Sequence, residues 1–239
     1  MRSPMQMPAV VMFFLGVVGH TRADHVLLLV DDAPPGQLAV ATVDLTGAAR
    51  WCKVDAVNPR GVRAVTVVEG EEVPFQFVPG VDFDPQNRIA GTAVFRMPPG
   101  SDGRLRLEFA SAETPKTEAW DGTVTTPAYV VEHDSKKEGG LPSAITFPKT
   151  GKRFEGFRGN DRVYDAEKGW FGLRNDPEPS VELVARGPLC TVVRVRARYM
   201  KSAREAPPSK PEAVYDWHYF HDRPLVYVRA EMRQEEPYA

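Results

Sequence analysis

The sequence predicts an all-β fold, on three observations. Its 239 residues include 22 prolines and 19 glycines, its apolar runs are of strand length rather than helix length, and residues 104–109 (RLRLEF) alternate strictly between polar and apolar. Neither proline nor glycine is well tolerated inside helices, whereas both suit tight turns between short strands. Strict alternation marks a strand with one face on a core and the other in water. A hydrophobic content of 42% is ample for packed cores in a chain of this length. Two antiparallel β-sandwich domains are expected. The formal charge of −2 argues against a nucleic-acid partner, which normally calls for a net basic surface that releases counterions from phosphates.

Residues 1–23 read as a cleaved export signal. Arg2 gives a positive start, residues 8–18 (PAVVMFFLGVV) an apolar run, and Thr21-Arg22-Ala23 the small residues that a signal peptidase reads, with cleavage before Asp24. The apolar run is about half the roughly 20 residues that a bilayer requires, so no stable membrane insertion is expected after cleavage. The mature chain is therefore expected to be secreted, periplasmic or on the cell surface. In such an oxidising compartment the two cysteines, Cys52 and Cys190, either form one bridge or sit as buried thiols.

Residues 24–110 form the first expected sandwich. Residues 25–30 (HVLLLV), 38–45 (LAVATVDL) and 63–68 (RAVTVV) are strand-length runs separated by turn formers. Residues 65–68 and 73–78 flank Glu69-Gly70-Glu71-Glu72, where Gly70 supplies a positive φ for a hairpin and Phe75 and Phe77 share a face of the returning strand. Residues 111–127 lose the periodicity and gather Ser, Thr, Pro and charge, as a linker does; Trp120 within it either packs on a sandwich or stands exposed for a sugar.

The second domain, residues 128–239, opens with two hairpins over residues 128–152. Three further strands follow at residues 190–199 (CTVVRVRARY), 214–220 (VYDWHYF) and 225–233 (LVYVRAEMR), expected side by side in an antiparallel sheet. Residues 201–211 are proline-rich and polar and are expected to project as a loop.

Gly139-Gly140-Leu141-Pro142-Ser143-Ala144-Ile145, then Gly187-Pro188-Leu189 leading into an arginine-bearing strand, then an aromatic strand followed by Pro224-Leu225-Val226, resembles the opening of a galactose-mutarotase-like supersandwich of polysaccharide lyases and glycoside hydrolases. The preceding region, with Val73-Pro74-Phe75-Gln76-Phe77, is similar to the sandwich that precedes it in exported proteins like exo-acting rhamnogalacturonan lyases. The resemblance implies that residues 128–239 are the start of such a supersandwich, shorter than that domain usually runs, and that the chain is an N-terminal portion of a polysaccharide-degrading protein. It carries over no catalytic residue.

The densest polar chemistry lies in residues 215–223. On a strand, Asp216, His218 and Phe220 face one way and Tyr215, Trp217 and Tyr219 the other, and one of those faces is core. An exposed Trp217 would offer a stacking platform to a sugar. His218, Tyr219 and His221 are the candidates for acid–base chemistry in a lyase, where a proton is abstracted beside a uronate. His218 and His221, with Asp216 and Asp222, do not have metal-ligand spacing on a strand, and Asp82 and Asp84 match no calcium loop, so no metal or other cofactor is expected. Arg194, Arg196 and Arg198 share one strand face, as do Arg229, Glu231 and Arg233. If these strands share a sheet, five guanidinium groups form a face suited to the carboxylates of an acidic polysaccharide, or else a solvated face of Arg–Glu pairs. No nucleophile elbow, zincin motif or phosphate-binding glycine loop is present. The expected function is accessory: binding or positioning a polysaccharide for a larger secreted protein. The alternatives are part of a lyase or glycosidase catalytic module, and a structural or adhesive surface module.

Overall fold

A computed structural model describes residues 11–13, 25–30, 36–100, 103–109, 119–157, 160–202 and 205–235, the first two stretches by their backbone alone. The protein is all-β, built of antiparallel sheets with little helix. It divides into two compact units, one comprising residues Met1–Thr117 with Gly187–Leu189, the other Glu118–Arg186 with Cys190–Ala239.

In the first unit, strands β1 (Val11–Phe13), β2 (His25–Val30), β3 (Leu38–Asp44), β4 (Val62–Thr66), β5 (Glu72–Val73), β6 (Phe75–Pro79), β7 (Ala90–Arg96) and β8 (Arg104–Phe109) form two sheets, ordered β1-β2-β8-β4-β5 and β3-β7-β6. One core draws on both: Ala64, Leu105 and Leu107 from the first meet Val43, Phe77, Ala93 and Phe95 from the second. The alternation read at residues 104–109 is realised in β8, whose Leu105 and Leu107 are fully buried. The hairpin expected around Gly70 forms, with Gly70 at φ 69°, but its returning strand is cut in two. Val73 pairs with Ala64 in one sheet, whereas Phe75 pairs with Phe95 in the other. Pro74 lies at the crossing, where a missing N–H does no harm.

The β reading of this region also misses a helical turn, α1 (Thr46–Trp51), in which Ala48 and Ala49 are buried and the Asp44 carboxylate accepts the Thr46 N–H at 2.9 Å. Alanine is the best helix former, and an acid just before the turn satisfies one of its orphan donors. Apart from residues 11–13, the expected signal segment lies outside the described residues. Among those described, no helix is long and apolar enough to cross a membrane. Cys52 and Cys190 are buried thiols, not a disulfide.

The second unit contains β9 (Thr123–Thr125), β10 (Val130–His133), β11 (Pro142–Phe147), β12 (Lys152–Glu155), β13 (Arg162–Asp165), β14 (Gly169–Gly172), β15 (Ser180–Arg186), β16 (Cys190–Arg198), β17 (Glu212–Phe220) and β18 (Val226–Arg233). They form a sheet β12-β11-β10-β9, a ribbon β13-β14 and a sheet β15-β16-β17-β18. The two larger sheets share a core of Val124, Val131, Val193, Val195 and Tyr219. Residues 111–118 of the linker expected at 111–127 lie outside the described residues, but Thr123–Thr125, assigned to it, is a strand. Two threonines suit the pleat, and Gly122 (φ 85°) lets its carbonyl accept the His133 N–H at 2.8 Å. The loop at 201–211 is not wholly projecting, since Ser209 is buried.

Candidate functional site

The sheet of β15 to β18 settles which way the predicted residues face. Along one surface, Val192, Arg194, Arg196 and Arg198 of β16 stand opposite His218, Asp216, Val214 and Glu212 of β17. Those in turn stand opposite Tyr227, Arg229, Glu231 and Arg233 of β18. The two sets of arginines therefore do share a face, as the alternation requires.

That face is not a row of unengaged cations. Arg194, expected in solvent, is buried, with its Nε and Nη2 donating to the two oxygens of the equally buried Asp216 at 2.6 and 2.8 Å. Arg198 donates from its side chain and backbone to Asp176, at 3.1 and 2.7 Å. Arg229 and Arg233 both approach Glu231, at 3.7 and 2.7 Å. Arg196 lies across from Ser180 and Val214. Alternation shows which residues share a face, not whether that face is itself covered, and here Val192 and Val214, on that face to either side of the Arg194–Asp216 pair, are buried.

Trp217 is likewise displaced from its expected platform role. It packs with Tyr215 against the core between the sheets, stacks on Tyr219 at 6.5 Å, and buries its indole N–H without a partner. His218 is fully buried on the opposite face. Its Nδ1 donates to the Asp216 carbonyl at 3.2 Å, and burial holds its pKa down to about 4 against the opposing pull of Asp216. His221 lies beyond the end of β17, with Nε2 3.0 Å from the Thr191 hydroxyl. The three acid–base candidates thus point in different directions. Tyr219 instead meets a histidine from another strand. Its hydroxyl lies 2.7 Å from Nε2 of His133, whose Nδ1 donates to the Gly140 carbonyl at 3.0 Å. Burial lowers the His133 pKa to about 4 and raises that of Tyr219 well above its ordinary value.

The arrangement best placed to meet a ligand is the β13–β14 ribbon. Its inner side is fixed: Phe171 and Leu173 are buried with Ala197, Tyr199 and Ala213, and Val163 packs on them. Gly172 exchanges two backbone hydrogen bonds with Met200, and the turn is closed by Asp165, which accepts the Glu167 and Lys168 N–H groups, before Gly169 at φ 85°. Period-2 alternation then turns Arg162, Tyr164 and Trp170 outward. Tyr164 and Trp170 are directly cross-strand, with ring centroids 4.9 Å apart, and remain 55% and 51% exposed. The Arg162 guanidinium sits 4.1 Å over the indole.

Trp170 and Arg162 form one wall of a pocket of about 390 Å³ that also takes in Asn160, Asp161, Arg174 and Asn175. Its Asp161 carboxylate is fixed from behind. Tyr199 donates to one oxygen at 2.9 Å, and Tyr215 donates to the other through a short hydrogen bond. Burial and the Asp161 charge together raise the Tyr215 pKa, so the phenol stays a donor. Asn175 is held by the Met200 carbonyl through its Nδ2 at 2.8 Å. The pocket therefore combines a half-exposed aromatic ring with fixed acceptors and donors, the composition of a site for a polar ligand with an apolar face.

Sequence reasoning overlooked this ribbon. Its strands are four residues each among charged neighbours, and the available signal was Asp165-Ala166-Glu167-Lys168-Gly169 between Tyr164 and Trp170. Among the described residues no group of three or more His, Cys, Asp or Glu side chains is placed to hold a metal ion. No family model, no curated protein and no solved structure matches the chain.

Proposed function

We propose that the chain is a carbohydrate-binding β module, exported and accessory to a larger polysaccharide-degrading protein, and that it takes glycan at the β13–β14 ribbon. The observation that carries this reading is the half-exposed Tyr164–Trp170 pair, whose Trp170 lines a polar pocket. Large aromatic rings left in water are unfavourable unless something covers them, and a pyranose offers a C–H face to the ring and a rim of hydroxyls to polar groups. Asp161 and Asn175 supply acceptors for hydroxyl protons, and Arg174 supplies donors. The supersandwich resemblance around Gly139-Gly140-Leu141-Pro142 is compatible with this reading. The catalytic alternative is the weaker one, because His218, Tyr219 and His221 do not converge.

The test is affinity electrophoresis of the chain in gels containing individual polysaccharides, beside Trp170→Ala and Tyr164→Ala. Both residues are half-exposed, so melting temperatures should change little. Trp170→Ala should weaken retention about fivefold or more, as expected for about 1 kcal/mol of lost ring contact. Retention of no glycan by the parent chain, or equal retention by both variants, would refute the proposal.

A further inference from the structure

Three cavities with charged linings among the described residues of the second unit differ in whether their charges are already neutralised. The cavity of about 320 Å³ beside Arg198, Lys210 and Arg233 has three cations, but each is tied to an acid: Asp176, Glu235 and Glu231 respectively. Glu212 adds another negative charge to its wall. The cavity of about 450 Å³ beside Trp120 and His133 is lined by Asp121, Glu132 and Asp134 with Lys137, an acidic excess that repels anions. The ribbon pocket is the reverse case. Its one carboxylate, Asp161, already accepts hydrogen bonds on both oxygens. Its two guanidinium groups, Arg162 and Arg174, have no carboxylate partner among the described residues; Arg162 is engaged only with the indole face, and Arg174 is exposed.

From this contrast, and resting on the reading of the ribbon as a glycan site, we infer that the pocket selects a sugar bearing a carboxylate, with Arg174 and Arg162 holding the acid group while Trp170 takes the ring. A planar guanidinium offers two parallel N–H donors that match a carboxylate, and stacking Arg162 on the indole fixes its plane without using those donors. The acidic-glycan specificity that the β16 and β18 arginines suggest in sequence thus moves to two arginines outside that row. Arg194 and Arg198 already have acids of their own, and Arg229 and Arg233 share Glu231.

The experiment measures binding of the full chain to polygalacturonate, alginate and hyaluronan, each beside its carboxyl-reduced counterpart, with a sulfated glucan as a further arm. Low and moderate salt are compared for the parent chain, Arg174→Gln, Arg162→Gln and Trp170→Ala. The expected result is that at least one uronate polymer binds about fivefold or more tightly than its reduced form, that the margin shrinks with salt, and that Arg174→Gln removes most of that margin by weakening the acidic form more than the neutral one. If the sulfated glucan alone shows an Arg174-dependent margin, the site reads an anion other than carboxylate, and the carboxylate assignment is wrong. If reduced and acidic forms bind equally, or the margin survives both arginine variants while Trp170→Ala still abolishes binding, the acid selectivity is overturned and the glycan site stands. If no polymer binds, both readings fall together.

Discussion

The hydroxyl of Tyr219 on β17 donates to Nε2 of His133 on β10 at 2.7 Å, bridging the two large sheets of the second unit across their shared core. Because His133 Nδ1 donates to the Gly140 carbonyl, the tautomer is fixed and Nε2 must be the acceptor. Tyr219→Phe would leave that nitrogen buried without a donor. The expected cost is about 1–3 kcal/mol in urea unfolding, more than the loss of a solvated hydroxyl. A change below about 0.5 kcal/mol would mean the bridge is energetically idle.

Acid should loosen the second unit through two buried histidines. His133 and His218 are both held near pKa 4 by burial, against about 6.5 in the unfolded chain. With the folded values below the unfolded one, the unfolded chain binds the extra protons. Stability is therefore fully present above about pH 6.5 and is lost as pH falls toward 4, by about 3 kcal/mol for each ring across the window. The check is the urea midpoint at pH 7, 6 and 5. His218→Phe, which keeps a ring against Tyr227, should remove about half of the slope, and a midpoint independent of pH would contradict the assignment of neutral buried imidazoles.

Gly139-Gly140 owes its glycines to two close approaches. At φ 79°, a Cβ on Gly140 would lie 2.5 Å from Val181 Cγ2 and 3.3 Å from Val195 Cγ1, and one on Gly139 would lie 2.5 Å from the Leu173 carbonyl oxygen. Gly140→Ala should cost about 2–4 kcal/mol, combining left-handed strain with a clash against two core strands. Gly151→Ala, also at positive φ but with open space around it, isolates the strain and should cost about 1 kcal/mol. Equal losses at the two positions would show that packing around Gly140 is not what fixes it.

What the sequence reveals here follows the reach of each physical signal. Period-2 alternation is local, so β8, β16 and β18 are legible, as is the fact that Arg194, Arg196 and Arg198 share a face. Burial is not local. β17 is covered on both surfaces, so no pattern within it could show that Trp217 points into the core or that Asp216 and His218 are equally buried. Partners are less local still: Arg194 finds Asp216 across 22 residues and His133 finds Tyr219 across 86. The ribbon escaped notice for the opposite reason, since four-residue strands carry too few alternations to stand out from the charged segments around them.

The pairing of the β16 arginines with acids gives a last prediction, which separates support from display. Arg194 and Asp216 are both almost fully buried and bidentate, so each neutralises a charge that would otherwise be stranded. Removing either partner alone, by Arg194→Met or Asp216→Leu, should cost about 3–5 kcal/mol because the other charge stays buried, whereas the double replacement by apolar groups should recover much of that loss. A double-mutant cycle in denaturant measures the coupling directly. Arg198 behaves differently, because its side chain is half in water while Asp176 is buried. Arg198→Ala should cost less than about 1 kcal/mol, since the Asp176 carboxylate keeps the Arg198 backbone N–H, whereas Asp176→Ala strips that N–H of its acceptor and should cost about 1–3 kcal/mol. If the single replacements at 194 and 216 are mild and additive, these side chains are not a buried pair, and Arg194 would again be available to a ligand on the outer face of the sheet.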